Sequence, residues 1–374
     1  LDEHDSKVGY ETRIEAAIQS FRNHYNDKSL RAKPAHFLSL NSANVTKING
    51  KTLLFPCFDP LNARLIEAVL LKEGVDARMV PLTEKTIQHG LRTNKGQCIP
   101  VNLIAQSFLD YINDNFLDPA QTAVWCFESH VACNIRMYPP MIKGIMETTG
   151  NGMEKVDVYV GNLSMNDISI QASIEAYFAH MFGGMLRKIG CKIRPYEKVK
   201  GMTDKAIAEA LNILYNTLLG GRNKDDDLAK VVGMFKKIET IPGKRPKVAI
   251  FGDLYARDND VFNQDLIHCI EEYGGEVITT PFNELAKLVA DPYIRRWFYE
   301  GEYMDVLFTK SIIALVNQLE KSYYKLFNEL LDENALDNDF DYKGIYDNFA
   351  VKVQHCGESV DNLIKITALI NQYP

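Results

Sequence analysis

From Lys51 onward short apolar runs alternate with amphipathic stretches, and that alternation limits the chain to folds in which strands and helices take turns. A strand is predicted over 52–55, followed by a helix over 61–74 that buries Leu61, Leu65, Ile66, Val69 and Leu70. Further strands are predicted at 77–80, 123–127 and 156–160, with helices around 101–112, 141–148 and 170–188 between and after them. Such a rhythm gives a mostly parallel sheet. It restarts after the breaker cluster Ile241-Pro242-Gly243-Lys244-Arg245-Pro246: strand 247–251, helix 262–273 ending on Gly274-Gly275, strand 276–280. That is one βαβ unit. A long helical region then runs to about Asp332, followed by a strand at 350–355 and a last helix at 359–370.

The expected fold class is therefore α/β, with two flavodoxin- or Rossmann-like parallel-sheet domains, helices on both faces, and an N-terminal helical arm. Residues 1–50 form the arm and linker, with a narrow apolar stripe of Ile14, Ala17, Ile18 and Phe21. Residues 51–243 form the first α/β domain, which carries most of the cysteine-bearing loops, and residues 244–374 form the second. The boundary falls near the charged, glycine-rich 220–228 stretch and the 241–246 cluster. Because the chain stops just past a helix, the second domain is expected to lack a following strand.

Composition narrows the function. Hydrophobic residues at 46% and charged residues at 24% suit a chain that buries a core. A formal charge of −7 lacks the cationic excess that gains counterion-release energy from phosphates, so nucleic acid is not an expected partner. No apolar run reaches the roughly 18–20 residues that cross a bilayer, and the acidic, polar start has no signal-peptide core. No membrane association and a cytoplasmic location are expected. The seven cysteines are an odd set without secretory context, which points to reduced thiols.

Five of these cysteines fall at strand ends or helix starts, the edge where open α/β sheets bind ligands. Cys57 follows the first strand, Cys98 precedes a helix in Gly96-Gln97-Cys98-Ile99-Pro100, and Cys126 closes a strand. Cys133 lies in the loop before the next helix, and Cys356 follows the strand ending at His355. Unsatisfied N–H groups and the positive dipole end of a helix favour a thiolate, and thiolates hold soft metals and iron–sulfur clusters. The plain alternative is a set of structural cysteines in a packed crevice. No C-x2-C occurs, which excludes a zinc ribbon or bacterial ferredoxin motif. Cys191 and Cys269 fall within or beside amphipathic helix patterns and are expected in the core. Arg136, His130 and His355 lie next to these cysteines, and Asp253, Tyr255, Arg257 and Asn259 form a polar turn after a strand that suits either a ligand or ordinary turn chemistry. The chain has neither a Gly-x-Gly-x-x-Gly turn, nor a P-loop, nor a Gly-x-Ser-x-Gly elbow.

Several segments, taken in order, resemble the 2-hydroxyacyl-CoA dehydratase and benzoyl-CoA reductase superfamily, closest to the dehydratase-like portion of the large CoA-enzyme-activase proteins. They are Leu54-Phe55-Pro56-Cys57-Phe58-Asp59-Pro60, Gly90, Gly96-Gln97-Cys98-Ile99-Pro100, Cys133-Asn134-Ile135-Arg136-Met137-Tyr138-Pro139, and the block from Arg245 to Asn259. The resemblance implies an iron–sulfur protein that accepts a low-potential electron from an ATP-hydrolysing activator domain or protein. Its cofactor would be a 4Fe-4S or double-cubane cluster, its substrate an acyl-CoA or another small molecule, and its assembly a homodimer. Cys98 matches the family's cysteine before a proline at a helix start, and Cys133 that of its Cys-x-x-Arg-x-Tyr-like loop. The family's third cysteine follows a Gly-Glu helix start such as Gly357-Glu358, so either Cys356 is itself a ligand or the ligand lies on sequence not included here. Cys57, Cys126 and Cys356 would enlarge the set toward a double cubane, and a truncated set would leave the cluster labile. The competing reading is a cluster-free interaction or scaffolding module that retains the family fold.

Overall fold

The computed structural model describes residues 7–26, 50–94, 96–126, 134–160, 168–220, 224–280, 290, 293–331 and 358–372. The chain separates into two compact units, one holding helix α1 (Lys7–Asn26) and the other everything from β1 onward. Ile14, Ala17, Ile18 and Phe21, the expected stripe of α1, are all exposed.

The larger unit is α/β and mostly helical. Its main sheet has four parallel strands in the order β2-β1-β3-β4: β1 (Thr52–Pro56), β2 (Ala77–Val80), β3 (Thr122–Cys126) and β4 (Asp157–Val160). These match the four predicted strands to within a residue. The chain leaves β1 in one direction to make β2 and returns on the other side of β1 to make β3. The switch point, where doubly wound sheets open a crevice, therefore lies between the carboxyl ends of β1 and β3.

Alternation along the strands divides the core into two layers. Leu53, Phe55, Ala123 and Trp125 face α2 (Pro60–Lys72) and α6 (Ile170–Ile193), behind which α7 (Met202–Leu219), α8 (Lys224–Lys236) and the helix Tyr303–Leu331 add a further layer. Leu54, Val124 and Val158 face α4 (Ile99–Asp114) and α5 (Tyr138–Thr149), with α3 (Glu84–Arg92) packed beside α4. Each large side chain buried this way contributes about 1.5–3 kcal/mol. At the crossing of α2 and α6, a Cβ on Gly183 would stand 1.9 Å from Asn62 Oδ1, so only glycine permits that approach.

The acidic end of the 220–228 stretch is the first turn of α8, where Asp225, Asp226 and Asp227 complement the helix dipole. The 241–246 cluster is an irregular connection. It leads to a parallel pair, β5 (Lys247–Ala249) and β6 (Glu276–Ile278), with Val248 opposite Val277. Two short helices, α9 (Leu254–Asp258) and α10 (Leu266–Glu272), replace the single helix expected over 262–273. Asp265 adopts φ +57° and the Asn263 side chain accepts from Leu266 N, which delays the start of α10. α6 packs on both α2 and β6 and so links the two sheets. No helix among the described residues is long and apolar enough to cross a membrane. The predicted strand at 350–355 lies outside the described residues, and a last helix spans Glu358–Gln372.

Candidate functional site at the carboxyl edge of the main sheet

Cys98 stands at the N-cap of α4, in a loop shaped by its own residues. Asn94 Oδ1 accepts from Gly96 N (2.8 Å), Asn94 Nδ2 donates to Gln97 O (3.2 Å), and Gly96 takes φ +93°. Pro100 at the helix start lacks the N–H that a helix interior would need. Cys98 makes no capping bond to the first turn; its half-buried Sγ instead lies 3.2 Å from Tyr138 Oη. Tyr138 opens α5 directly after the 3₁₀ turn Asn134–Met137, and Asn134 is the residue that follows Cys133. Two helix starts separated by 40 residues thus meet through a thiol and a phenol.

Cys57 and Cys126 flank the switch point but face opposite layers. Leu53 pairs with Ala123 and Leu54 with Val124, so Cys57 shares the parity of Trp125 and packs in the α2/α6 layer, whereas Cys126 packs with Leu54 in the α4/α5 layer. Cys98 borders that second layer. Burial raises the Cys126 thiol far above its usual range. Cys57 is raised by burial and then by the charges of Asp59 and Asp260, with Arg187 opposing. Both are neutral thiols in this protein environment.

Cys133 and Cys356, with His130 and His355, lie outside the described residues, and Arg136 is exposed. Among the described residues no three His, Cys, Asp or Glu side chains gather to hold a metal ion. Cys191 is buried as expected, its thiol pushed up to about 12 by burial and by the Glu271 charge. Cys269 is exposed, contrary to the expectation that it is a core residue: on α10, Ile267 and Glu271 are the buried side chains, and Cys269 lies between them on the other side.

The polar turn after β5 is packed against the rest of the chain. Asp253 caps α9 by accepting from Ala256 N (3.0 Å), and the buried Tyr255 ring meets Phe58 edge-on at 5.1 Å. Asn259 Nδ2 donates to the Cys57 carbonyl (2.9 Å), while Arg257 forks onto Asp258. Arg187 of α6, which the sequence reading missed, completes the junction. Its Nε and Nη2 reach Asp59 (3.1 and 3.0 Å), its Nη1 reaches Asp260 (2.9 Å), and Nη2 also donates to the Asp258 carbonyl (3.2 Å). Burial works against the Arg187 cation, and Asp59 and Asp260 more than restore it. A lone arginine following Met181, Phe182, Met185 and Leu186 was the available signal.

Beside Arg187 lies a pocket of about 150 Å³ lined in part by Cys191, Arg194, Asp204 and Ile267. It is smaller than the roughly 300–1,000 Å³ of ordinary ligand sites. Arg194 is already paired with Glu271 (2.9 Å) and Asp204 (2.7 Å), so the pocket offers no open charge to an anion.

No family model, no curated protein and no solved structure matches the chain.

Proposed function

We propose that the chain is the iron–sulfur, electron-accepting component of an ATP-dependent low-potential reductase or dehydratase system, built from two flavodoxin- or Rossmann-like parallel-sheet domains. The observation that carries this reading is the meeting of Cys98 Sγ with Tyr138 Oη, which joins the Cys98 helix start to the helix start that follows the Cys133 loop. Together with the order of motifs in the sequence, it supports a ligand set drawn from both loops. The donor chemistry fits a cluster: Cys98 is half-buried, sits at an uncapped helix start, and has a phenol hydroxyl 3.2 Å from its sulfur. Cys98 and Cys133 would hold the cluster, with Cys126 and Cys356 as the remaining candidates, and Cys57 is left out because its thiol lies in the opposite layer. When bound, the cluster stores and passes on one low-potential electron. The chain's own residues orient and shield the site, and an ATP-hydrolysing activator and an acyl-CoA or other small-molecule substrate are the proposed partners.

The second reading, a cluster-free scaffolding module, draws on the packing of Cys57 and Cys126 as neutral core thiols. Iron and acid-labile sulfide in the anaerobically purified chain separate the two. Bound iron with a brown absorbance band is expected, and loss of that iron in Cys98→Ala or Cys133→Ala but not in Cys191→Ala. Colourless, iron-free wild-type protein would favour the scaffold.

A further inference from the structure

The helix Tyr303–Leu331 packs on α6 and α8 through an inward stripe in which Val306, Val316, Glu320, Tyr324, Phe327 and Leu331 are buried. Its outward face changes character halfway along. Residues at i, i+4, i+7 and i+11 line one side of a helix. In the second half that outward stripe is Gln318, Ser322, Lys325 and Glu329, all exposed and all polar, as a face toward water requires. Two heptads earlier the same spacing reads Met304, Phe308, Ser311 and Leu315, equally exposed and, apart from Ser311, apolar. Leu307, 62% exposed, lies beside it, four residues after Tyr303 and three after Met304. The preceding helical turn, 293–300, ends at Gly301 (φ +85°), and its Phe298 ring meets those of Tyr303 at 5.5 Å and Tyr299 at 6.2 Å. The first half of the helix is thus apolar on both sides, a pattern that belongs to a helix covered on both sides.

We propose that this outward face is the interface with a second copy of the chain, the two helices running antiparallel across a twofold axis. The inference does not draw on the iron–sulfur reading. Two features of the face select the occupant. The first is its size. At about 150–250 Å² for a large side chain, the exposed parts of Phe298, Tyr299, Tyr303, Met304, Leu307, Phe308 and Leu315 come to roughly 800 Å². That exceeds the roughly 300–600 Å² of the largest apolar patch on an ordinary monomer and equals the share of one partner in a stable interface, about 800 Å². Aromatic residues and methionine are also the types enriched in such interfaces. The second feature is its shape. Run antiparallel against itself, the stripe sets Met304 opposite Leu315 of the second copy and Phe308 opposite Ser311 of the second copy. The largest side chain of the stripe then fills the space over its smallest. Twofold symmetry repeats each contact, as an isologous interface requires.

Two serines on the outward face give a matched test. Ser311 and Ser322 are both exposed, and each hydroxyl donates only to a backbone carbonyl of its own helix, Leu307 O (2.8 Å) and Leu319 O (2.7 Å). Lysine at either position is a polar-for-polar change at the surface of one chain, so circular dichroism and unfolding temperature of the monomer are expected to stay at wild-type values. Analytical ultracentrifugation of the full chain at micromolar concentration is expected to show a dimer for wild type and for Ser322→Lys. Ser311→Lys is expected to weaken that dimer at least about tenfold, because it fills the space that Phe308 of the second copy occupies. Leu315→Gln, a second outward change, is expected to weaken it as well. A photo-crosslinking residue in place of Met304, in dimers mixed from heavy- and light-isotope chains, is expected to attach to the turn around Leu315 of the other copy. Monomeric wild type would overturn the proposal and hand the face to a different partner. A dimer that Ser311→Lys and Leu315→Gln leave intact, or that Ser322→Lys weakens equally, would also overturn it, and attachment to the turn around Met304 of the other copy would contradict the antiparallel pairing.

Discussion

The turn after β1 and the start of α4 lie on the same edge of the main sheet and are built in opposite ways. Around Cys57 the charged groups are matched: Asp59 caps α2 and pairs with Arg187, Asn259 holds the Cys57 carbonyl, and Tyr255 covers Phe58, while Asn62 Oδ1 in the first turn of α2 is buried without a hydrogen-bond partner among the described residues. Around Cys98 the helix start has no side-chain cap, the sulfur has a phenol contact, and the amide of Asn102 is buried without a partner among the described residues. Matched buried ion pairs and hydrogen bonds fix a structure, and the network on Arg187 ties α6 to the turns after β1 and α9. The first corner is thus read as the joint that holds the two sheets together, and the second is the proposed site.

The largest effect that would break this contrast is on the joint. Arg187→Leu leaves Asp59 buried without its cation and strips Asp260 of the same partner, and loss of one member of a buried pair costs about 3–5 kcal/mol. Urea unfolding should show a loss of this size, and a loss under about 1 kcal/mol would mean that this ion-pair network does not hold the two sheets together.

The next effect is pH-dependent. His180 on α6 is buried, and burial pushes its pKa down to about 4, against the pull of Asp59. The unfolded chain takes up a proton on this residue near pH 6.5 and the folded chain only near pH 4. This contribution to stability is therefore whole above pH 6.5 and declines by about 1.4 kcal/mol per unit as the pH falls toward 4. The difference between wild type and His180→Gln in urea unfolding from pH 7 to 5 should carry that slope, and parallel curves would contradict it.

Cys57→Ser places a hydroxyl in an apolar layer and should cost about 1–3 kcal/mol. The smallest expected effect sharpens the comparison: Cys98→Ala should change the stability of metal-free protein by less than about 1 kcal/mol, because the half-buried sulfur contributes little packing. Thermal unfolding of the two variants side by side checks the order, and equal losses would mean that the two corners are alike.

Much of this was legible in the sequence, and the reasons for the rest are specific. The strands of the main sheet could be read because apolar runs between helical stretches are a strong signal, and Pro100 after Cys98 marked the start of α4. The opposed faces of Cys57 and Cys126 could not, since their parity depends on the pairing of Leu53 with Ala123, a contact 70 residues away in the chain. Cys269 was misplaced because α10 has only seven residues, too few apolar positions to fix the helix phase. The partners of Arg187 lie up to 128 positions distant, and no local pattern announces them.

The comparison of the two corners is tested most directly by measuring iron and sulfide per chain in anaerobically prepared Cys98→Ala and Cys57→Ala alongside wild type. Cys57→Ala should retain the wild-type content and Cys98→Ala should lose most of it. Full retention in Cys98→Ala, or equal loss in both variants, would contradict the proposal that the Cys98 corner is the site.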